Sequence, residues 1–136
     1  MNFAEVFQGN YSYFLNQINY RVITVGNIQD KVDIAIKDNV SFQMLDESHL
    51  QIVVERNVGF QPNVVYELKV SFGAILEMKD ATKIEKDIDW YQEFKNTNEG
   101  MAVIQGLLTR ISLQIAQITS SYGLNPIVTP PNLMNN

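Results

Sequence analysis

The segment D-E-S-H-L at residues 46–50 gathers the side chains with the most obvious chemistry. Asp46 and Glu47 lie beside His49, which is the only histidine in the chain. Carboxylates and an imidazole can bind a cation or transfer protons. A zinc-type metal site usually needs a second histidine or a cysteine, however, and the chain has no cysteine. The pattern favours a solvated turn, with a small-ligand or enzyme site as the alternative hypothesis.

A second charged group is typical of an exposed helix face. It consists of Lys83, Glu85, Lys86, Asp87 and Asp89, of which Glu85 and Asp89 stand at helical spacing. Paired carboxylates for acid–base catalysis need one buried member with a shifted pKa, and nothing in this segment indicates burial. The sequence also contains no G-x-x-x-x-G-K, G-x-G-x-x-G or G-x-S-x-G motif. We therefore predict no enzymatic activity, no catalytic residue, no metal and no cofactor.

Length and charge limit the remaining classes. The 136 residues are most simply one domain, 1–136, which can bury a sizeable core without covalent cross-links. The net charge of -5 argues against nucleic acid as a partner, because a phosphate backbone requires a basic surface. The first residues lack the pattern of a signal peptide, and no apolar run approaches about 18 residues. We expect a cytoplasmic protein with no direct membrane insertion.

The longest regular pattern in the sequence runs from Val64 to Met78. Every even-numbered residue in it is apolar, whereas the odd-numbered positions include Glu67, Lys69 and Gly73. Successive side chains of a strand point to opposite faces, so the pattern predicts one long strand with a buried and a solvated face. Gly73, which has no side chain to pack, is the expected bend.

Three further strands are predicted before this one, at residues 11–25, 32–44 and 50–60, from their β-branched and aromatic residues and their alternation. The turn Q-P-N at 61–63 leads directly into the long strand, which predicts a hairpin. The four strands should form an antiparallel sheet with either a sequential or a Greek-key order.

Two positions interrupt these strand patterns. Asp38-Asn39 breaks the alternation of the second strand, which is therefore either one interrupted strand or two short ones. Arg56 breaks the apolar face of the third strand and indicates a bulge or the margin of the sheet.

Two helices are predicted after the sheet. The first covers 83–94, with Asp80 or Thr82 as its N-cap. The second begins at 96–98 and ends near Gly123. Its apolar residues recur at 104, 108, 111, 115, 118 and 122.

The two ends of the chain are less regular. Residues 1–10 form either a short helix or a loose arm. Residues 125–136 contain three prolines and should form an extended tail.

The sequence contains more apolar side chains than one four-stranded sheet with two helices is expected to bury. Val103 and Leu107 widen the apolar stripe of the second helix, and Trp90, Tyr91 and Phe94 stand on a segment of mixed polarity. The surplus favours oligomerisation or a groove for apolar segments of another protein, with burial in an ordinary core as the alternative.

Two stretches carry a resemblance to a known family. The first is V-Y-E-L at 65–68 followed by G-A-I-L at 73–76. The second covers 103–132, where an apolar helix with an arginine and serines leads through Gly123 and Pro126 to P-P-N. With the order of elements over residues 15–132, they resemble SecB, the bacterial protein-export chaperone, and its SecB-like relatives.

One departure from the family concerns a docking surface. SecB carries acidic residues in its first strand, on the surface that docks the export motor SecA, whereas this chain reads Y-R-V-I-T-V-G-N there. Only Glu67 matches that surface, so it is the candidate partner-docking residue. The resemblance therefore leaves open an export chaperone that contacts SecA and a SecB-like protein dedicated to a toxin–antitoxin system.

The resemblance implies an α+β fold in which a four-stranded antiparallel sheet is followed by two helices. It also implies a homotetramer, built as a dimer of dimers, that holds unfolded polypeptides or preproteins without ATP. The candidate client-binding residues are Phe42, Met44, Trp90, Tyr91 and Phe94. The candidate oligomer-interface residues are Leu107, Ile111 and Ile115. A structural or adaptor oligomer without chaperone activity is the alternative.

Overall fold

A computed structural model describes residues 2–23, 31–79, 87–121 and 126–134. Its elements, in chain order, are α1 (Phe3–Val6), β1 (Phe7–Val22), β2 (Asp33–Met44), β3 (His49–Gln61), β4 (Tyr66–Met78), α2 (Trp90–Lys95) and α3 (Asn98–Ser120). The strands form one antiparallel sheet in the order β1-β4-β3-β2. Because β1 pairs with β4 and not with β2, the order is a Greek key. The predicted fold class is confirmed.

The alternation in β4 separates two faces of the sheet. On one side, here called the helical face, Tyr66, Leu68, Val70, Ala74, Leu76 and Met78 are all buried. The other side, here called the polar face, carries Glu67, Lys69 and Ser71. The predicted bend at Gly73 is wrong, because this residue pairs in register with Phe14 and Val53. The ring of Phe14 occupies the space where a Cβ at Gly73 would lie.

A bulge keeps the apolar side chains of β1 on one face. Tyr13 and Leu15 are odd-numbered and Ile18 is even-numbered, yet they pair with Ala74, Phe72 and Val70 on the helical face. The register shifts between Leu15 and Gln17, so Asn16 is the extra residue that changes the parity. The side-chain amide of Asn16 donates to Ser71 Oγ at 2.9 Å.

The two residues that interrupt the strand patterns are partners. β2 and β3 pair without a register shift, and Asp38 lies opposite Arg56. Both side chains are buried and form an ion pair between Arg56 Nη2 and Asp38 Oδ2 at 2.7 Å. The predicted bulge or margin at Arg56 is therefore wrong, and residues 33–44 form one continuous strand.

The helices begin at side-chain caps. Asp89 accepts a hydrogen bond from the backbone N–H of Gln92 and starts α2, while Thr97 accepts one from Gly100 and starts α3. The expected first helix is thus shorter among the described residues, and its predicted caps Asp80 and Thr82 lie outside them. The second helix agrees with its prediction except that it ends at Ser120; Gly123 is also outside the described residues.

The helix α3 packs on the central strands β4 and β3. Its apolar stripe is buried there, including Val103, Ile104, Leu107, Leu108, Ile111 and Ile115. Leu107, Ile111 and Ile115 therefore belong to the core of the protomer and have no accessible surface for a partner in this arrangement. By length and composition alone, α3 is the one helix in the described ranges that could cross a membrane, a property shared with core helices of soluble proteins.

Both ends of the described chain are fastened to the sheet. Phe3 of α1 and Phe7 of β1 are buried, so the first residues form a short helix rather than a loose arm. Residues 126–134 form neither helix nor strand. Within them, the N–H of Met134 donates to Asp38 Oδ2 at 2.7 Å, and its carbonyl accepts from the N–H of Asp38 at 3.0 Å.

Candidate functional site

The helical face of the sheet is only partly covered. Because α3 follows the two central strands, large apolar side chains are left exposed along both outer strands and in the turn after β2. These side chains are Leu15, Ile18, Tyr20, Val22, Ile34, Met44 and Leu45. All of them except Ile34 fall into two groups at the margins of the sheet, which we describe in turn.

The first group lies where the end of β2 meets α2. Here Phe42, Met44, Leu45, Trp90 and Tyr91 form what we call the aromatic patch. Met44 is 39% exposed and Leu45 is 45% exposed, while the three aromatic side chains are half-buried. Long flexible and aromatic side chains of this kind adapt their shape to different apolar groups.

Buried aromatic rings support this patch from below. Phe94 is fully buried, and its ring contacts Phe42 at a centroid distance of 5.0 Å and Trp90 at 6.4 Å. Phe3 and Phe7 complete the cluster, with Phe7 lying 5.8 Å from Trp90. The edge-to-face arrangements are favourable for aromatic rings and hold the patch in place.

The five sequence-predicted client residues lie at the end of β2 and in α2, two elements that contact one another. Phe42, Met44, Trp90 and Tyr91 are accessible, whereas Phe94 is part of the core. Sequence reasoning missed Leu45, which lies in the turn after β2. It also missed the supporting role of Phe3 and Phe7, which stand in α1 and at the start of β1, where the sequence shows no clear periodicity.

The second group, here called the apolar margin, consists of Leu15, Ile18, Tyr20 and Val22 on β1. Leu15 is 50% exposed and Val22 is 48% exposed. β1 is also an edge strand of 16 residues. A long edge with apolar side chains beside it is a template for pairing with another chain.

The turn that holds His49 is organised by Asp46. The Asp46 carboxylate accepts from the backbone N–H of Ser48 at 2.8 Å and lies 2.8 Å from His49 Nδ1. The hydrogen bond from Ser48, followed by that from His49, lowers the pKa of Asp46 to about 2. Within the described ranges, no cluster of three or more histidine or carboxylate side chains could hold a metal ion. The arrangement is that of a solvated turn cap.

The polar face carries Glu67, the candidate docking residue, on β4. Its carboxylate accepts a hydrogen bond from Arg21 Nη2 at 2.7 Å, and the two side chains are 45% and 67% exposed. On the same face, Glu55 lies 3.6 Å from Lys69 Nζ. Each of these carboxylates therefore has a cation beside it, which weakens the negative potential of this part of the face.

Comparison with known proteins identifies a similar fold. The sequence matches no protein-family model and no curated protein. A SecB-like chaperone of Mycobacterium tuberculosis, solved in complex with a ChAD peptide from the HigA1 antitoxin, matches with a TM-score of 0.64. The match covers 88% of this chain and 86% of that chain at 12% sequence identity.

This likeness establishes the architecture of the chain. The four-stranded antiparallel sheet and the two helices that follow it agree with the expectation drawn from the sequence, and the strand order is the Greek key of the two orders that the sequence left open. The chain has the SecB-like fold.

Proposed function

We propose that this protein is a chaperone that holds unfolded polypeptide segments without ATP and without making or breaking bonds. The observation that carries this proposal is the aromatic patch, in which Phe42 and Trp90 rest on the buried ring of Phe94 and Met44 and Leu45 are exposed. A client segment would bury its apolar side chains on this patch.

The energetics suit weak and sequence-tolerant binding. Each apolar side chain of a client that leaves water contributes about 1.5–3 kcal/mol before the cost of ordering the segment. Several such contacts are needed to offset the entropy of an unfolded chain. Flexible methionine and leucine side chains can follow different client shapes, whereas Phe42 and Trp90 stay anchored on the core.

We also propose that the protein assembles, by resemblance as a homotetramer built from two dimers. The apolar margin supports an interface at β1, because an exposed edge strand next to Leu15, Ile18, Tyr20 and Val22 can pair with a second copy. Assembly would place several aromatic patches on one particle, which raises the effective concentration of sites for a long client.

We also propose which type of client this protein binds. The SecB-like neighbour was solved with an antitoxin peptide, which supports an antitoxin segment as the client of this protein too. Docking to SecA through acidic side chains has less support, because Glu67 is paired with Arg21 and Glu55 lies near Lys69. We therefore favour a dedicated toxin–antitoxin chaperone over an export chaperone, both located in the cytoplasm.

A structural or adaptor oligomer is the second candidate, and the apolar margin is the observation that favours it. This alternative expects a stable oligomer whose apolar surfaces are used only for self-assembly. It differs from the chaperone proposal at the aromatic patch, which should then bind no client.

The single tryptophan of the chain provides the test, because Trp90 lies within the patch. We expect that titration with an unfolded, tryptophan-free polypeptide shifts the emission of Trp90 to shorter wavelength and saturates. Met44→Glu should weaken this binding, while Leu113→Glu, an exposed position on α3 away from the patch, should not. Unchanged Trp90 emission, together with no binding of a labelled client, would rule out the proposal.

A further inference from the structure

The polar face of the sheet contains a hollow of about 630 Å³, on the side opposite to α3. It lies near the end of the sheet where Arg21 of β1 pairs with Glu67 of β4. Ala35 and Gly59, which are opposite one another on β2 and β3, leave space there because their side chains are small or absent. A Cβ at Gly59 would have no heavy atom within 4 Å.

Among the charged side chains that line this polar hollow, cations outnumber anions. Arg21, Lys37 and Lys69 line it, together with the one carboxylate of Glu67. Arg21 is ion-paired with Glu67, and Lys69 lies near Glu55. The side chain of Lys37 makes no ion pair or hydrogen bond with any other residue that the structure describes. The lining is therefore net positive in a chain whose net charge is -5.

Amide side chains alternate with the two lysines. Across the four strands, the register places Asn19, Lys69, Asn57 and Lys37 side by side in one row. Lys69 and Lys37 are separated by one strand and thus by roughly 10 Å. An asparagine amide both donates and accepts hydrogen bonds, whereas a lysine only donates. The row can therefore satisfy peptide groups and carboxylates together.

We propose that the polar hollow docks an acidic peptide segment of a partner protein. Lys37 and Lys69 would pair with carboxylates of that segment, and Asn19 and Asn57 would bond to its backbone. A polyphosphate suits the site less well, because the amide oxygens of Asn19 and Asn57 can accept hydrogen bonds from peptide N–H groups, which a polyphosphate lacks. The proposal concerns the face opposite to the aromatic patch and does not depend on the holding of unfolded polypeptides.

The test measures fluorescence anisotropy of a labelled peptide in which glutamate alternates with serine, with the full chain as the binding protein. The matched peptide carries glutamine in place of every glutamate. We expect the glutamate peptide to bind, the glutamine peptide to bind much more weakly, and binding to weaken as salt screens the charges. Lys37→Gln and Lys69→Gln should each reduce affinity about two- to fivefold.

Two matched controls locate the binding in the hollow. Lys31→Gln removes the same charge outside the lining and should leave affinity unchanged. Gly59→Gln should obstruct the hollow, whereas Gly9→Gln, which is equally free of steric contacts, should have no effect. Aggregation suppression should stay the same in all of these variants.

Three results would overturn the proposal. The first is that the wild-type chain fails to bind the glutamate peptide at about 1 mM, which corresponds to a negligible affinity. The second is equal affinity in wild type, Lys37→Gln and Gly59→Gln. The third is that inorganic tripolyphosphate binds the chain more tightly than the peptide and loses affinity in the same variants, which would assign the hollow to a phosphate ligand.

Discussion

Arg56 and Asp38 form an ion pair whose two side chains have no exposed surface. Arg56 Nε donates to Asp38 Oδ1 and Nη2 donates to Oδ2, both at 2.7 Å. The remaining N–H groups of Arg56 donate to the hydroxyls of Ser112 and Thr129 and to the carbonyls of Pro130 and Asn132. One buried guanidinium thus joins β2, β3, α3 and the C-terminal segment.

Arg56→Met should strongly destabilise the fold, because it leaves the carboxylate of Asp38 buried without its partner. We expect a loss of about 3–5 kcal/mol in the free energy of unfolding. Urea denaturation at fixed protein concentration measures this loss. The exposed pair provides the control, since Arg21→Met should cost only about 0–1 kcal/mol.

The double variant Arg56→Met/Asp38→Leu should recover part of the loss, because it removes both charges together. If Arg56→Met and Arg21→Met are equally mild, the pair is not buried as described.

Gly100→Ala should destabilise the protein, although alanine is the better helix former by about 1 kcal/mol. A Cβ at Gly100 would lie 2.5 Å from the carbonyl oxygen of Phe94 and 2.6 Å from its Cα. This backbone cannot move without disturbing the junction of α2 and α3, so we expect a loss of about 1–3 kcal/mol. Thermal or urea unfolding measures it. Gly9→Ala is the matched control, and a stabilised Gly100→Ala variant would contradict the packing at this junction.

Ile18→Glu should dissociate the proposed oligomer, because it puts a charge in the centre of the apolar margin. Light scattering coupled to size-exclusion chromatography gives the molar mass. Leu113→Glu, which changes an exposed apolar side chain of α3, should keep the wild-type mass. If Ile18→Glu keeps the molar mass of the wild-type oligomer, the interface lies elsewhere. If the wild-type protein is a monomer, the proposed assembly is wrong.

The Asp46 turn should act locally. The pKa of the Asp46 carboxyl is lowered from 3.8 to about 2. The hydrogen bonds of this carboxylate therefore stabilise the turn fully above pH 3.8, and that stabilisation is lost as the pH falls toward 2. The backbone N–H of Ser48 is the largest cause of this shift. In His49→Ala we therefore expect the pKa of Asp46, followed by carboxyl NMR, to stay below 3.8.

Substitutions in the same turn distinguish two hypotheses on the function of the protein. His49→Ala/Glu47→Ala should leave client holding unchanged if the turn is only structural. A loss of activity in this variant, with folding intact, would instead favour the ligand or enzyme hypothesis.

Features that depend on local periodicity could be predicted from the sequence alone. The alternation from Val64 to Met78 predicted β4 and its buried face, and the spacing from Ile104 to Ile115 predicted the stripe of α3. The Q-P-N turn predicted the β3–β4 hairpin. Each depends on neighbours along the chain, which a single sequence displays directly.

Features that depend on pairing between distant residues could not be predicted in the same way. In the sequence, Asp38 and Arg56 each interrupt the pattern of a strand, and only the register of β2 and β3 shows that they lie opposite one another. In the sequence, Gly73 indicates a bend, and only the structure shows that the ring of Phe14 occupies the space beside it. The burial of Leu107, Ile111 and Ile115 is a third case, because a single sequence does not show how much of a helix the sheet can cover.

The central claim is that the aromatic patch holds unfolded polypeptides, and aggregation measured by light scattering tests it most directly. A denatured, slow-folding polypeptide is diluted into buffer without ATP, with wild type, Met44→Glu or Leu113→Glu present. We expect wild type and Leu113→Glu to suppress scattering at near-stoichiometric amounts, and Met44→Glu to suppress it less. No suppression by a several-fold excess of wild type over several clients, including an antitoxin segment, would contradict the claim.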